Sequence, residues 1–214
     1  VTLIIPYLIY ARQDKRFLEG EAISLKTLLS IVESFGVERL ISVDTHNPDA
    51  IREYTRIQFD NIAAATAIAL HAKEKVFGGR DFIIISPDLG GVERVRRAAE
   101  VLDLQHSYLR KERNRHTGEV SVSPTTTIPM YGRGVFLLDD IISTGGTLVK
   151  AANTLKNMGV EELAAGATHL LLLDRADKRL FEAGYTRIIG SNTVETPYSE
   201  VSVEGLIAEE IRKS

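Results

Sequence analysis

The chain has 214 residues, 44 % hydrophobic and 26 % charged, enough to bury one large core or two small ones and unlike a disordered or fibrous protein. A formal net charge of −3 argues against neutralisation of a nucleic-acid backbone as its task, while leaving room for a local site that takes small anions. With no cysteine there are no disulfides, thiolate metal sites or cysteine nucleophile, as suits a cytoplasmic protein, and no apolar run approaches the ~18–20 residues of a membrane span.

In chain order, the first predicted strand is 2–8. A helical stripe of Leu25, Leu28, Leu29, Val32 and Phe35 follows, with Gly36 placed to close it. A strand at 40–43 comes next, then an alanine-rich helix over 60–76 for which Asp60 and Asn61 offer an N-cap. A strand at 82–85 leads through the Gly90-Gly91 turn into a second stripe of Val92, Val95, Ala99 and Leu102. A strand at 106–109 runs into 111–133, a long stretch read as an aperiodic loop, and loops of that length in compact domains tend to be functional. Strands at 135–138, 167–173 and 187–189 complete the series.

Apolar runs alternating with helical periods are the pattern of an α/β fold around mostly parallel strands. The runs FIII, VFLL and LLLL are continuously apolar, so helices should cover both sheet faces. A boundary near residue 64 divides the chain into 1–64 and 65–214.

The segment 134–148, GVFLLDDIISTGGTL, carries the most chemistry. Four apolar residues form a strand, Asp139 and Asp140 stand at its carboxyl end, and Ser143-Thr144-Gly145-Gly146-Thr147 opens a helix through Leu148, Val149, Ala152 and Leu155. Glycines let backbone approach a ligand, and the amides and dipole of a helix N-terminus receive a phosphate, with Ser143, Thr144 and Thr147 adding hydroxyl donors. The two aspartates suit ribose hydroxyls or a hydrated Mg²⁺. It is neither a Walker loop nor a G-x-G-x-x-G fingerprint. Along its length it resembles the phosphoribosyl diphosphate motif of type I phosphoribosyltransferase-like folds.

Four further motifs extend the resemblance: PYLIYARQD at 6–14, SVDTH at 42–46, SPDLGG at 86–91 and RKER at 110–113. In this order the chain resembles the ribose-phosphate diphosphokinases, or phosphoribosyl pyrophosphate synthetases. The resemblance implies two tandem phosphoribosyltransferase-like domains and a homo-oligomer. It implies Mg²⁺-dependent transfer of a diphosphoryl group from ATP to O1 of ribose 5-phosphate, with no nucleic acid and no membrane as partner.

By residue, the resemblance assigns Arg12, Gln13 and His46 to ATP and His46 and Asp88 to the metal. Lys111 becomes the catalytic lysine, and Arg113 a catalytic residue that also contacts the ribose phosphate. Asp139, Asp140, Ser143, Thr144, Gly145, Gly146 and Thr147 become the ribose-phosphate site. A lone histidine is more often structural, and imidazole is an unusual partner for Mg²⁺, so His46 stands on the resemblance alone. His169 matches a family threonine-histidine, although Leu170 replaces the glycine that commonly follows. His71, His106 and His116 read as packing or surface residues.

Family members carry roughly another third of a chain ahead of PYLIYARQD, including a Phe-x-Asp/Asn-Gly-Glu stretch that contacts adenine. The chain, which starts at Val1, is therefore read as a fragment whose first domain is incomplete. Two alternatives stay open. One is a nucleobase phosphoribosyltransferase, which leaves Arg12-Gln13 and Lys111-Glu112-Arg113 unexplained. The other is a catalytically silent ribose-phosphate-binding partner of a full-length synthetase.

Overall fold

The structure is a computed structural model that describes residues 1–16, 18–113, 120–124 and 128–213, with backbone alone for 111–113 and 120–124. The chain divides into two compact units, Val1–Ala64 with Val203–Ser214, and Ala65–Ser202. The last segment, read from sequence with the second domain, thus belongs to the first unit.

The first unit holds a three-stranded parallel sheet in the order β1-β2-β3, with β1 at Thr2–Ile4, β2 at Arg39–Val43 and β3 at Gln58–Ile62. Helices α1 (Ser24–Ser34) and α2 (Pro48–Tyr54) enclose a cluster that includes Leu25, Leu29, Leu40, Ile51 and Phe59. Leu25, Leu29 and Val32 of the expected stripe are buried, but Phe35 is the C-cap and lies 79 % exposed. Strand β1 stops short of the expected residue 8. Pro6 has no N–H for a ladder, although its carbonyl still accepts from Val43 N at 3.1 Å.

Asp60 and Asn61 do not cap a helix. They lie in β3, which the sequence reading missed, because Arg39 pairs with Asp60 at 2.5 Å and Thr45 N donates to Asn61 Oδ1 at 2.8 Å. The expected helix starts only at Ala65.

The second unit is a seven-stranded sheet in the order β10-β9-β8-β7-β4-β5-β6. Its elements are α3 (Ala65–Lys75), β4 (Phe82–Ser86), α4 (Val92–Leu102), β5 (Gln105–Arg113), β6 (Val120–Pro124), β7 (Gly134–Ile142), α5 (Gly146–Asn157), β8 (Glu162–Leu170), α6 (Ala176–Ala183), β9 (Arg187–Ser191) and β10 (Ser199–Val201). All pairs are parallel except β5–β6. The remaining helix, α7 (Glu204–Arg212), belongs to the first unit.

Side-chain alternation sorts the core onto two faces, as strands buried on both sides require. Ile83, Ile85, Val135 and Leu137 pack with Leu148, Ala152 and Leu155 of α5. Phe82, Ile84, Phe136 and Leu138 pack with Ile68 of α3 and Val95 and Ala99 of α4.

Two expectations change here. The stretch 111–133 is not all loop, because β5 continues to Arg113 and pairs with β6, Lys111 opposite Val122 and Arg113 opposite Val120. Thr125 to Thr127, Arg115 and His116 lie outside the described residues. The strand expected at 167–173 is displaced to Glu162–Leu170. Its first half is small because the sheet is crowded there: a Cβ on Gly166 would sit 2.4 Å from the Phe136 ring.

Candidate active site

Neighbouring strands β4 and β7 send their chains to opposite faces of the sheet, β4 into α4 and β7 into α5. This divergence opens a crevice at the carboxyl ends of the two strands, the place where open α/β sheets bind ligands. Asp88 follows β4, and Asp139 and Asp140 lie in the carboxyl-terminal half of β7, so these three carboxylates belong to that edge.

Arg94, in the first turn of α4, faces both β7 carboxylates: Nη1 is 3.4 Å from Asp139 Oδ1 and Nη2 is 3.7 Å from Asp140 Oδ2. Burial, and then the charge of adjacent Asp140, push the Asp139 carboxyl well above the ordinary carboxylate range, with Arg94 opposing the rise. Two acidic groups so close, one guanidinium and little water make an acceptor pair suited to vicinal hydroxyls.

Beyond the aspartates, Gly145 takes φ +71°, a left-handed conformation that disfavours any residue with a Cβ. The ladder of α5 begins with Val149 N donating to Gly145 O at 3.0 Å. The amides before it therefore lie at a helix N-terminus, where anions bind. A Cβ on Gly146 would meet nothing within 4 Å, so that glycine borders open space. Ser143 and Thr147 are half-buried and Thr144 is exposed. A buried tie fixes α5: the Tyr185 hydroxyl donates to Leu148 O at 2.8 Å.

Asp88 is also a backbone organiser. Its Oδ1 accepts from Gly90 N at 3.0 Å and Gly91 N at 3.3 Å, and Ser86 Oγ donates to its carbonyl at 2.7 Å, shaping the entry to α4. A Cβ on Gly91 would lie 2.4 Å from Ser86 Oγ, so the turn needs glycine there.

In the first unit, Arg12 and His46 are exposed and Gln13 is half-buried. Gln13 turns its amide nitrogen toward the carbonyls of Lys15 and Ala22, both at 3.4 Å. The turn carrying Arg12 and Gln13 is tied to the one carrying His46 through buried Asp14, whose Oδ2 accepts from Asn47 Nδ2 at 2.5 Å and whose carbonyl accepts from Tyr54 OH at 2.7 Å. Asp44, before His46, accepts from Ala64 N at 2.9 Å and is a structural member of its motif.

Lys111 and Arg113 lie on β5, and their side chains are outside the described residues. His169 is buried with Nδ1 2.8 Å from Thr193 Oγ1, and His71 pairs with Glu200 at 2.9 Å. Among the described residues no three His, Asp or Glu side chains cluster as a metal cage. Mg²⁺ needs none, since one or two carboxylates with substrate phosphates and waters complete its octahedron, and the Asp88 carboxylate is a donor of that kind. Among the described residues no helix is long and apolar enough to cross a membrane.

Asp14, inside the 6–14 motif, was given no role, and Arg94 and Asn47 were missed from sequence. Their only signal was adjacency to motifs already noted, Arg94 three residues beyond Gly91 and Asn47 next to His46.

The phosphoribosyl transferase domain matches residues 50–204. The chain is 41 % identical over 194 residues to the ribose-phosphate pyrophosphokinase of Saccharolobus solfataricus, covering 91 % of this chain and 65 % of that protein. It is 39 % identical over 208 residues to ribose-phosphate pyrophosphokinase 2 of Archaeoglobus fulgidus, covering 97 % of this chain and 73 % of the relative. The crystal structure of phosphoribosylpyrophosphate synthetase from Mycobacterium smegmatis superposes with a TM-score of 0.83 at 30 % identity, over 99 % of this chain and 70 % of that one. The chain thus spans about two thirds to three quarters of these relatives. An α/β fold of parallel sheets and this likeness agree, and the chain belongs to the ribose-phosphate pyrophosphokinase family.

Proposed function

We propose that the chain transfers the β,γ-diphosphoryl group of ATP to the 1-hydroxyl of ribose 5-phosphate, releasing AMP and forming 5-phosphoribosyl 1-diphosphate. The observation that carries this reading is the Asp139–Asp140 pair at the end of β7, continuous with the left-handed Gly145 that opens α5. Asp139 and Asp140 hold the ribose hydroxyls, and the backbone from Ser143 to Thr147 holds the 5-phosphate. Asp88 and His46 are the proposed ligands of Mg²⁺, which would supply charge neutralisation on the transferred phosphates. Arg12 and Gln13 orient the nucleotide. Lys111 and Arg113 stabilise charge on the phosphoryl oxygens, Arg113 also contacting the ribose phosphate, so catalysis is by positioning and electrostatics.

The two units are read as tandem phosphoribosyltransferase-like domains, the first incomplete, in a cytoplasmic homo-oligomer. The purified chain should release AMP from ATP only with ribose 5-phosphate and Mg²⁺ together. Absence of ribose-dependent AMP at high enzyme concentration refutes turnover by this chain. The second reading is a catalytically silent ribose-phosphate-binding partner of a full-length synthetase. Calorimetric binding of ribose 5-phosphate without turnover, modulated by a full-length synthetase, would identify it.

A further inference from the structure

Three successive carbonyls of the ribose-phosphate loop are all occupied from one side. Ile142 O accepts from Leu171 N at 3.0 Å and Leu172 N at 3.1 Å, and Ser143 O accepts from Leu173 N at 3.1 Å. Thr144 O accepts from the guanidinium of Arg179, on α6. The first three donors are backbone groups of the segment that follows β8. The fourth is an exposed side chain reaching back across 35 residues.

In a trans peptide the N–H points opposite to the C=O. Carbonyls of 142, 143 and 144 drawn toward the segment 171–179 therefore turn the N–H groups of Ser143, Thr144 and Gly145 to the other side, in line with the first amides of α5. Successive amides pointing one way form an anion-binding concavity. The donor segment is itself specialised. Leu172, Asp174 and Arg175 hold φ of +48°, +53° and +56° without being glycine, and such conformations persist only where surroundings enforce them. Ala176 and Leu180 of α6 then lie 3.5–3.6 Å from the position a Cβ on Gly145 would take, so α6 backs the glycine as well as its neighbour.

We propose that Arg179 is a positioning residue for the phosphate of the bound sugar, acting through the Thr144–Gly145 peptide, and that the segment 171–179 is the frame that sets the loop before ligand arrives. The inference deepens the ribose-phosphate reading above and depends on it. Arg179 is the one side chain among the four donors, and hence the one that substitution can remove without altering the backbone.

The test is calorimetric titration of ribose 5-phosphate into the full chain and its Arg179→Met and Arg179→Lys variants, with unfolding midpoints measured without ligand. Methionine keeps the apolar stem and removes the donors, and lysine keeps a charge and a donor. The expected result is about tenfold weaker binding for Arg179→Met, as for a lost hydrogen bond from a charged group. Arg179→Lys should recover a substantial part, and all three unligated midpoints should agree. Wild-type affinity in Arg179→Met overturns the positioning role. So does a loss that lysine fails to restore and that comes with a lowered midpoint, since that marks a general structural effect. If the unaltered chain does not bind ribose 5-phosphate, the ribose-phosphate reading itself falls, a result distinct from the other two.

Discussion

Arg94 sets its Nη1 3.4 Å from Asp139 Oδ1, joining the first turn of α4 to the end of β7 across 45 residues. Its cation opposes the burial and the Asp140 charge that push Asp139 up. Arg94→Leu should raise Asp139 further and weaken ribose 5-phosphate binding about tenfold or more. Raising the pH should recover part of that loss, because the ionised form is the full acceptor. Dissociation constants from about pH 6 to about pH 9 for both proteins check this, and a pH-independent deficit refutes it.

Asp139 also links stability to pH. Its carboxyl ionises at higher pH in the folded chain than in the unfolded one. Above about pH 4 the unfolded chain binds fewer protons at this site, so stability falls as pH rises toward the folded-state value and stays lowered beyond it. Asp139→Asn removes that loss. Its unfolding midpoint should exceed wild type by about 2–4 °C for each kcal/mol recovered near neutral pH and converge on it below about pH 4, while ribose 5-phosphate binding disappears. Calorimetric scans across that range decide it, and an advantage that grows toward acid contradicts the assignment.

The adjacent glycines should behave oppositely. At Gly145, with φ +71°, alanine is strained and should cost roughly 1 kcal/mol or more of stability together with phosphate binding. At Gly146, a Cβ enters open space within α5, so alanine should be neutral or add up to about 1 kcal/mol through helix propensity. The methyl group would nevertheless stand beside the anion, and ribose 5-phosphate affinity should fall. Urea unfolding and calorimetry on Gly145→Ala and Gly146→Ala separate the two, and unchanged affinity in Gly146→Ala would show that the ligand does not approach there.

Asp88 combines a backbone duty with a proposed metal duty, and two substitutions part them. Asparagine retains an oxygen for Gly90 N and Gly91 N, so Asp88→Asn should unfold like wild type while its AMP release demands far more Mg²⁺. Asp88→Ala should lose about 1 kcal/mol as well, as when a capping acceptor is removed. Denaturant midpoints and Mg²⁺ titrations of turnover check both, and an unshifted Mg²⁺ requirement in Asp88→Asn removes the residue from the metal site.

Legibility in the sequence followed distance along the chain. The run from Val135 to Thr147 could be read as strand, turn and helix start because these are contiguous, and FIII and VFLL marked strands covered on both faces. Strand β6 hid in a region marked as loop although V-S-V-S alternates with period two. Strand β3, QFDNI, hid because its polar residues serve tertiary partners, Asp60 with Arg39 and Asn61 with Thr45. Arg94, Arg179 and the Asp14–Asn47 pair were beyond reach, since their partners lie 45, 35 and 33 residues away and only folding brings each pair together.

The return of the last segment to the first unit sets an order of assembly. Val203, with Leu206 and Ile207 of α7, packs against Ile41, Val43, Ile62 and Ala64, so that face of the small sheet is closed by residues that follow the whole second unit along the chain. The segment Ala65–Ser202, by contrast, is contiguous and contains all seven strands of its own sheet. During synthesis, the stretch that precedes Ala65 must wait with an apolar sheet face uncovered while the inserted segment is made. The unit begun before the insertion is therefore closed only after it, and its exposed face is where a nascent chain is open to misassembly.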